Sequence, residues 1–211
     1  MRLFYLLLFT LISADLMAVE EPAHQVLLSE QNMEIRSYEP MLLAEVEVSG
    51  SMRSAGNQGF RTLADYIFGN NIAAEASTDE LSGQLSQRKS QKIEMTAPVA
   101  RVETSADTWT VSFVMPSEWT LDTLPKPNNP DVLIRQQPES LMASIEFSGR
   151  ASENDHRVRE QELRRWLAEI GYEALAEAQY AGYNPPWTLG PFRRNEVLIP
   201  VAEIAHDQSK E

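Results

Sequence analysis

Leu42-Leu43-Ala44-Glu45-Val46-Glu47-Val48-Ser49-Gly50 returns in the second half of the chain as Leu141-Met142-Ala143-Ser144-Ile145-Glu146-Phe147-Ser148-Gly149. Setting Ile35-Arg36 against Ile134-Arg135 brings the two stretches into line without a gap. In each copy apolar residues alternate: Leu42, Ala44, Val46 and Val48 in the first, Leu141, Ala143, Ile145 and Phe147 in the second. Period-two alternation closed by a glycine is the pattern of a half-buried strand. Each strand is followed by an apolar stripe at i, i+3, i+4, i+7, Phe60-Leu63-Ala64-Ile67 and Leu163-Trp166-Leu167-Ile170, which lets one face of a helix lie on a sheet. Gly69 and Gly171 follow at the expected helix ends, where glycine accepts a left-handed backbone.

Two more strands complete each half, Ile93 to Val102 and Trp109 to Met115 in the first, Ala178 to Tyr183 and Glu196 to Val201 in the second. The sequence therefore predicts a β-α-β-β unit used twice, with pseudo-repeats at about 32–116 and 131–202. Two copies are too few for a solenoid, and their natural product is a pseudo-twofold sheet with two helices outside. The expected fold is α+β: a distorted antiparallel β-barrel of about eight strands with two flanking helices, its closure hiding the strand edges. Residues 70–91, rich in Ala, Ser, Gln and Glu without a regular stripe, read as a mobile insertion. Pro125-Lys126-Pro127-Asn128-Asn129-Pro130 reads as a stiff connection between the halves, and residues 205–211 as a polar tail.

Met1-Arg2 followed by the apolar run Leu3 to Ile12 is too short to span a bilayer. With small residues at Ala14 and Ala18, residues 1–18 read as a secretory signal peptide cleaved after Ala18, which leaves 19–211 as one domain. The chain has no cysteine, which excludes a lipoprotein anchor, disulfides, a Cys-rich zinc site and covalent c-type haem. Export without disulfides suits a bacterial periplasm. A net charge of -13 at pH 7 argues against a nucleic-acid partner, because phosphate binding needs clustered Lys and Arg.

Three stretches carry a family resemblance: Glu34-Ile35-Arg36-Ser37-Tyr38-Glu39-Pro40, Lys92-Ile93-Glu94-Met95-Thr96-Ala97-Pro98-Val99, and Ala181-Gly182-Tyr183-Asn184-Pro185-Pro186-Trp187 leading to Arg193-Arg194-Asn195-Glu196-Val197. Together they resemble the SOUL/haem-binding family over roughly residues 25 to 202. The resemblance implies a duplicated barrel and reversible, non-covalent binding of haem or a related porphyrin. It places the tetrapyrrole in a shallow groove between the first helix and the loop before the last strand. On this chain that means Asn57, Phe60, Leu63, Ala64 and Ile67 on the helix and Tyr183 to Trp187 on the loop. A flat macrocycle needs apolar walls and a cation for its propionates. Phe60, Tyr183 and Trp187 are the candidate walls, and Arg53, Arg61, Arg193 and Arg194 the candidate cations. Phe60, Leu63 and Ile67 also form the stripe that would pack the helix on the sheet, and core packing is the stronger reading for these three.

Some members of the family are thought to hold iron through a histidine. The three here, His24, His156 and His206, lie near the N-terminus, at the start of the second helix and in the polar tail, and read as solvated or capping residues. Axial ligation then falls to Met, Tyr or no residue. An enzymatic alternative is a small-molecule hydrolase or effector-binding barrel using Glu94 or Glu196, expected on corresponding strands, as a general base. No nucleophile elbow, zincin motif, P-loop or dinucleotide fingerprint accompanies them. A third reading is a protein-interaction module presenting Trp119, Trp187 and the insertion.

Overall fold

The computed structural model describes residues 19–74 and 89–204. The first half contributes β1 (His24–Glu30), β2 (Met33–Tyr38), β3 (Met41–Ser49), α1 (Met52–Ile67), β4 (Asn71–Ile72), β5 (Val99–Ser105) and β6 (Thr108–Val114). After the short β7 (Lys126–Pro127), the second contributes β8 (Leu133–Gln137), β9 (Ser140–Ser148), α2 (Glu153–Ile170), β10 (Tyr172–Ala174), β11 (Gln179–Gly182) and β12 (Arg194–Glu203). The signal segment 1–18, most of the insertion and the tail 205–211 lie outside the described residues.

The α+β class, the two flanking helices and the curled antiparallel sheet are those the sequence pattern predicts. The long strands follow the order β1-β2-β9-β12-β11-β5-β6-β3-β8, with β10 added beside β12. That order mirrors the duplicated unit. At its centre β5 pairs with its counterpart β11, and outward from there β6 and β3 match β12 and β9. The opening strands are exchanged: β2 pairs with β9 of the other half, and β8 with β3. The halves are thus stitched together at three places. The sheet forms a half-barrel whose path ends at β1 and β8, so two edges remain where full closure would have hidden them.

Both helices pack on the same side of the sheet, α1 on β3 and β6, α2 on β9, β10 and β12. Their buried faces are Met52, Ala55, Gly59, Leu63, Ala64, Tyr66 and Ile67 on α1, and His156, Leu163, Trp166 and Leu167 on α2. Gly59 marks the closest approach of α1 to the sheet: a Cβ there would lie 2.5 Å from Val111. Ser51 caps α1 by accepting from the Ser54 N–H, and α2 opens with a reciprocal capping box between Ser152 and Asp155. Gly171 ends α2 in the left-handed conformation expected of it, at φ 78°.

Two sequence expectations change. The strand expected from Ile93 begins only at Val99, after Pro98, which has no N–H to give a ladder. Residues 92–98 instead run as an irregular strap, tied by the Ile93 N–H to the Ile67 carbonyl and the Ala97 N–H to the Glu20 carbonyl. The base of the insertion is also pinned. Asn71 donates to the Tyr66 and Gln91 carbonyls and accepts from the Gln91 N–H, while β4 pairs with β7.

Candidate functional site

Because α1 and α2 sit over opposite halves, the central strands β5 and β11 form a seam between them. The helix-side residues of this seam are fixed by their contacts. The Arg101 side chain passes Gly56 of α1 so closely that a Cβ there would lie 2.9 Å from Nη1. Arg101 is the register partner of Tyr180, whose hydroxyl accepts from Arg157 of α2 and donates to Glu160 at 2.6 Å. Toward one end Phe60 stands edge-on to Phe113, with ring centroids 5.5 Å apart, and Phe113 is the register partner of Val99. Toward the other, the seam opens into a hollow of about 270 Å³ lined by Glu103, Arg157, Glu160, Glu177 and Tyr180.

Two polar groups along this seam lack partners. The Arg101 side chain makes no hydrogen bond or ion pair among the described residues, and burial pulls its guanidinium below the ordinary arginine value. His156 is 2% exposed, with its ring 5.1 Å from Tyr180 and 5.3 Å from Phe147. Its Nδ1 donates to the Ser152 carbonyl at 2.8 Å, which leaves Nε2 as a buried acceptor with no partner. Burial, reinforced by the Arg101 charge, holds this imidazole below its ordinary pKa. His156 does make a capping-type bond, but it is a core residue and not a solvated one.

The nine residues expected at a ligand groove separate into four groups. Leu63, Ala64 and Ile67 are buried beneath α1 and offer no surface, since they supply the helix-to-sheet packing. Arg53, Asn57 and Phe60 are exposed on α1, Phe60 by 37%. Tyr183 points to the opposite side of the sheet, where its hydroxyl donates to Glu196 Oε2 at 2.6 Å. It is therefore not a wall of a groove on α1. Trp187 is 81% exposed, and Arg193 braces its loop by donating to the Thr188 and Pro186 carbonyls. Arg193 is thus already engaged. Trp119, expected at the surface, is partly buried against the core.

The sheet face away from the helices holds an ion-pair cluster. Glu196, 1% exposed, accepts from Arg36 through Nη1 at 3.0 Å and Nη2 at 3.3 Å, and Arg36 also donates from Nε to Glu34 at 2.7 Å. Burial and the adjacent Glu196 carboxylate push the Tyr183 phenol far up. Both oxygens of Glu196 are occupied. Glu94 lies on the strap and not on a strand, its side chain 74% exposed and paired with Lys92, so the two glutamates do not occupy corresponding strands. A separate cleft of about 640 Å³ is lined by Glu20, Glu39, Met41, Met115, Trp119 and Leu121 among others. Among the described residues no cluster of three or more His, Asp or Glu is arranged to hold a metal, and no helix is long and apolar enough to cross a membrane.

The architecture defines a class: a duplicated α+β half-barrel with a seam between its two helices. A family model described as SOUL heme-binding protein matches residues 19–200, and the chain belongs to that family. No curated protein matches it in sequence. Among solved structures, the C-terminal domain of EcmrR is similar with a TM-score of 0.58 at 9% identity, covering 86% of this chain and 99% of that one. A hydrolase from Listeria innocua is similar with a TM-score of 0.52 at 13% identity, covering 83% of this chain and 94% of that one. An uncharacterized conserved protein from Listeria innocua follows at a TM-score of 0.51 and 13% identity, covering 81% and 92%. At these identities the likeness is one of fold.

Proposed function

We propose that this chain is an exported periplasmic protein that binds haem or a related tetrapyrrole, reversibly and non-covalently, in the seam between α1 and α2. The observation that supports the reading is the seam of β5 and β11 between the two helices, with Phe60 exposed beside it and Arg101 unpaired on its helix side, in a chain of a haem-binding family. Flat apolar ligands are held by such walls together with a few oriented polar groups. The Arg101 guanidinium, which has no carboxylate partner among the described residues, fits a macrocycle that carries acidic substituents. Phe60 and Asn57 would line its edge. When bound, haem supplies an iron centre and two propionates. The protein supplies the apolar surface, a cation and the exclusion of water.

Export rests on the pattern of residues 1–18, and an exported chain without cysteine suits a bacterial periplasm. Sequencing the N-terminus of protein recovered from a periplasmic fraction tests it: the expected first residue is Val19, and an intact Met1 on cytoplasmic protein contradicts it. The binding reading is tested by titrating purified protein with haemin and with metal-free protoporphyrin, following the Soret band and tryptophan fluorescence. Saturable one-to-one binding that weakens in Phe60→Asp is expected. Equal binding by that variant would remove α1 from the site.

A further inference from the structure

Sequence pattern points to Arg53 and Arg193 as cations for a ligand, but one is solvent-exposed on α1 and the other is occupied within its own loop. A different arginine has the properties those positions lack. Arg101 rises from β5 at the middle of the seam, lies against Gly56, and is the register partner of Tyr180. Six other arginines of the fold, Arg36, Arg135, Arg157, Arg159, Arg164 and Arg194, each have a carboxylate at 3.0 Å or less. Among the described residues Arg101 has none.

A partly buried guanidinium without a counter-charge costs stability in a folded protein, and a fold that only needed to fill this position would do better with an apolar side chain. Gly56 adds a second observation. A Cβ at that position would lie 2.9 Å from Arg101 Nη1 and 3.0 Å from its Cδ, so the glycine leaves room for the arginine beside α1.

We propose that Arg101 is the anion anchor of the inter-helical seam, so that its ligand is a flat apolar acid held by its carboxylate. This rests on the seam being the binding site. The guanidinium supplies two parallel N–H donors to one carboxylate, geometry that a lysine at the same position lacks. Phe60, exposed on α1, then receives the apolar body, with Arg101 fixing its acidic edge between the helices.

The test compares wild type with Arg101→Met and Arg101→Lys, using three probes: protoporphyrin, its dimethyl ester, and the fluorescent aryl sulfonate 8-anilinonaphthalene-1-sulfonate. Melting temperature is recorded for every variant. Arg101→Met is expected to melt no lower than wild type and to bind protoporphyrin more weakly, on the order of 10- to 100-fold. Its affinity for the dimethyl ester should be unchanged, and Arg101→Lys should fall between. If protoporphyrin fails to bind wild type while the sulfonate binds in an Arg101-dependent way, the anion anchor stands and the tetrapyrrole reading falls. The anchor is overturned if Arg101→Met binds both acids as wild type does, if wild type binds neither, or if the loss extends equally to the ester. A lower melting temperature for Arg101→Met would also overturn it, by showing that the arginine serves the fold.

Discussion

Replacing Glu196 with glutamine preserves shape and removes one charge from the buried cluster on the sheet face away from the helices. In wild type, Arg36 contacts both carboxylate oxygens of Glu196, and Tyr183 donates to one of them. Removing one partner of a buried pair typically costs about 3–5 kcal/mol, because the other charge stays buried without compensation. Arg36 keeps Glu34 at 2.7 Å on its Nε, which places the expected cost at the lower end, about 3 kcal/mol. For a chain of this size each kcal/mol moves the melting temperature by about 2–4 °C, so a fall of about 6–12 °C is expected. Thermal unfolding followed by circular dichroism measures it. The double variant Arg36→Met/Glu196→Leu provides the control, since removing both charges together is commonly neutral or stabilising. A Glu196→Gln protein melting within about 2 °C of wild type would refute the reasoning and reopen a non-structural role for this carboxylate.

Three further outcomes are expected. Gly59→Ala drives a methyl into Val111 and should cost about 1–3 kcal/mol in urea unfolding, with much of the loss recovered when Val111 is shortened to alanine. Ser152→Ala removes the reciprocal cap of α2 and should cost about 1 kcal/mol in the same assay. His156 makes stability depend on pH. Burial holds its folded pKa below the ordinary 6.5, so as pH falls through 6.5 the unfolded chain takes up a proton that the folded chain does not. Stability should therefore fall as pH drops below 6.5, by at most about 1.4 kcal/mol per pH unit. Asp155, held low by its bonds from Ser152, loses its contribution only as pH falls below the ordinary 3.8, so its loss begins at lower pH. His156→Phe should flatten the fall that begins at higher pH, and an unchanged slope in that variant would contradict the assignment.

The repeat, the strand alternation and the helix stripes are legible because each follows from a local period. The exchange of β2 and β8 is not, because a repeat says which units are alike and not which strands of different units pair. Arg101 illustrates a deeper reason. In Val99-Ala100-Arg101-Val102, apolar alternation points equally to Val99 or to Ala100 and Val102 as the inward face, and a lone arginine favours facing solvent. The structure turns Arg101 toward the helices because β5 and β11 lie between them, where the sheet is only partly covered. His156 was readable in principle. It precedes Leu163 by about two turns and Leu167 by about three, and so falls on the buried face of α2, but its polar neighbours masked the period. The direction of Tyr183 is not legible because the chain leaves β11 at Gly182, where strand alternation gives way to a loop whose hydrogen bonds decide where the side chain points.

The seam itself is open to a direct measurement: amide chemical shifts of isotopically labelled protein, recorded by two-dimensional NMR during titration with metal-free protoporphyrin. The largest perturbations are expected at Gly56, Phe60, Arg101 and Tyr180, along the seam between the helices. Perturbations confined to Met41, Met115 and Trp119 would place the ligand in the separate cleft those residues line, and the absence of any saturable shift would contradict tetrapyrrole binding altogether.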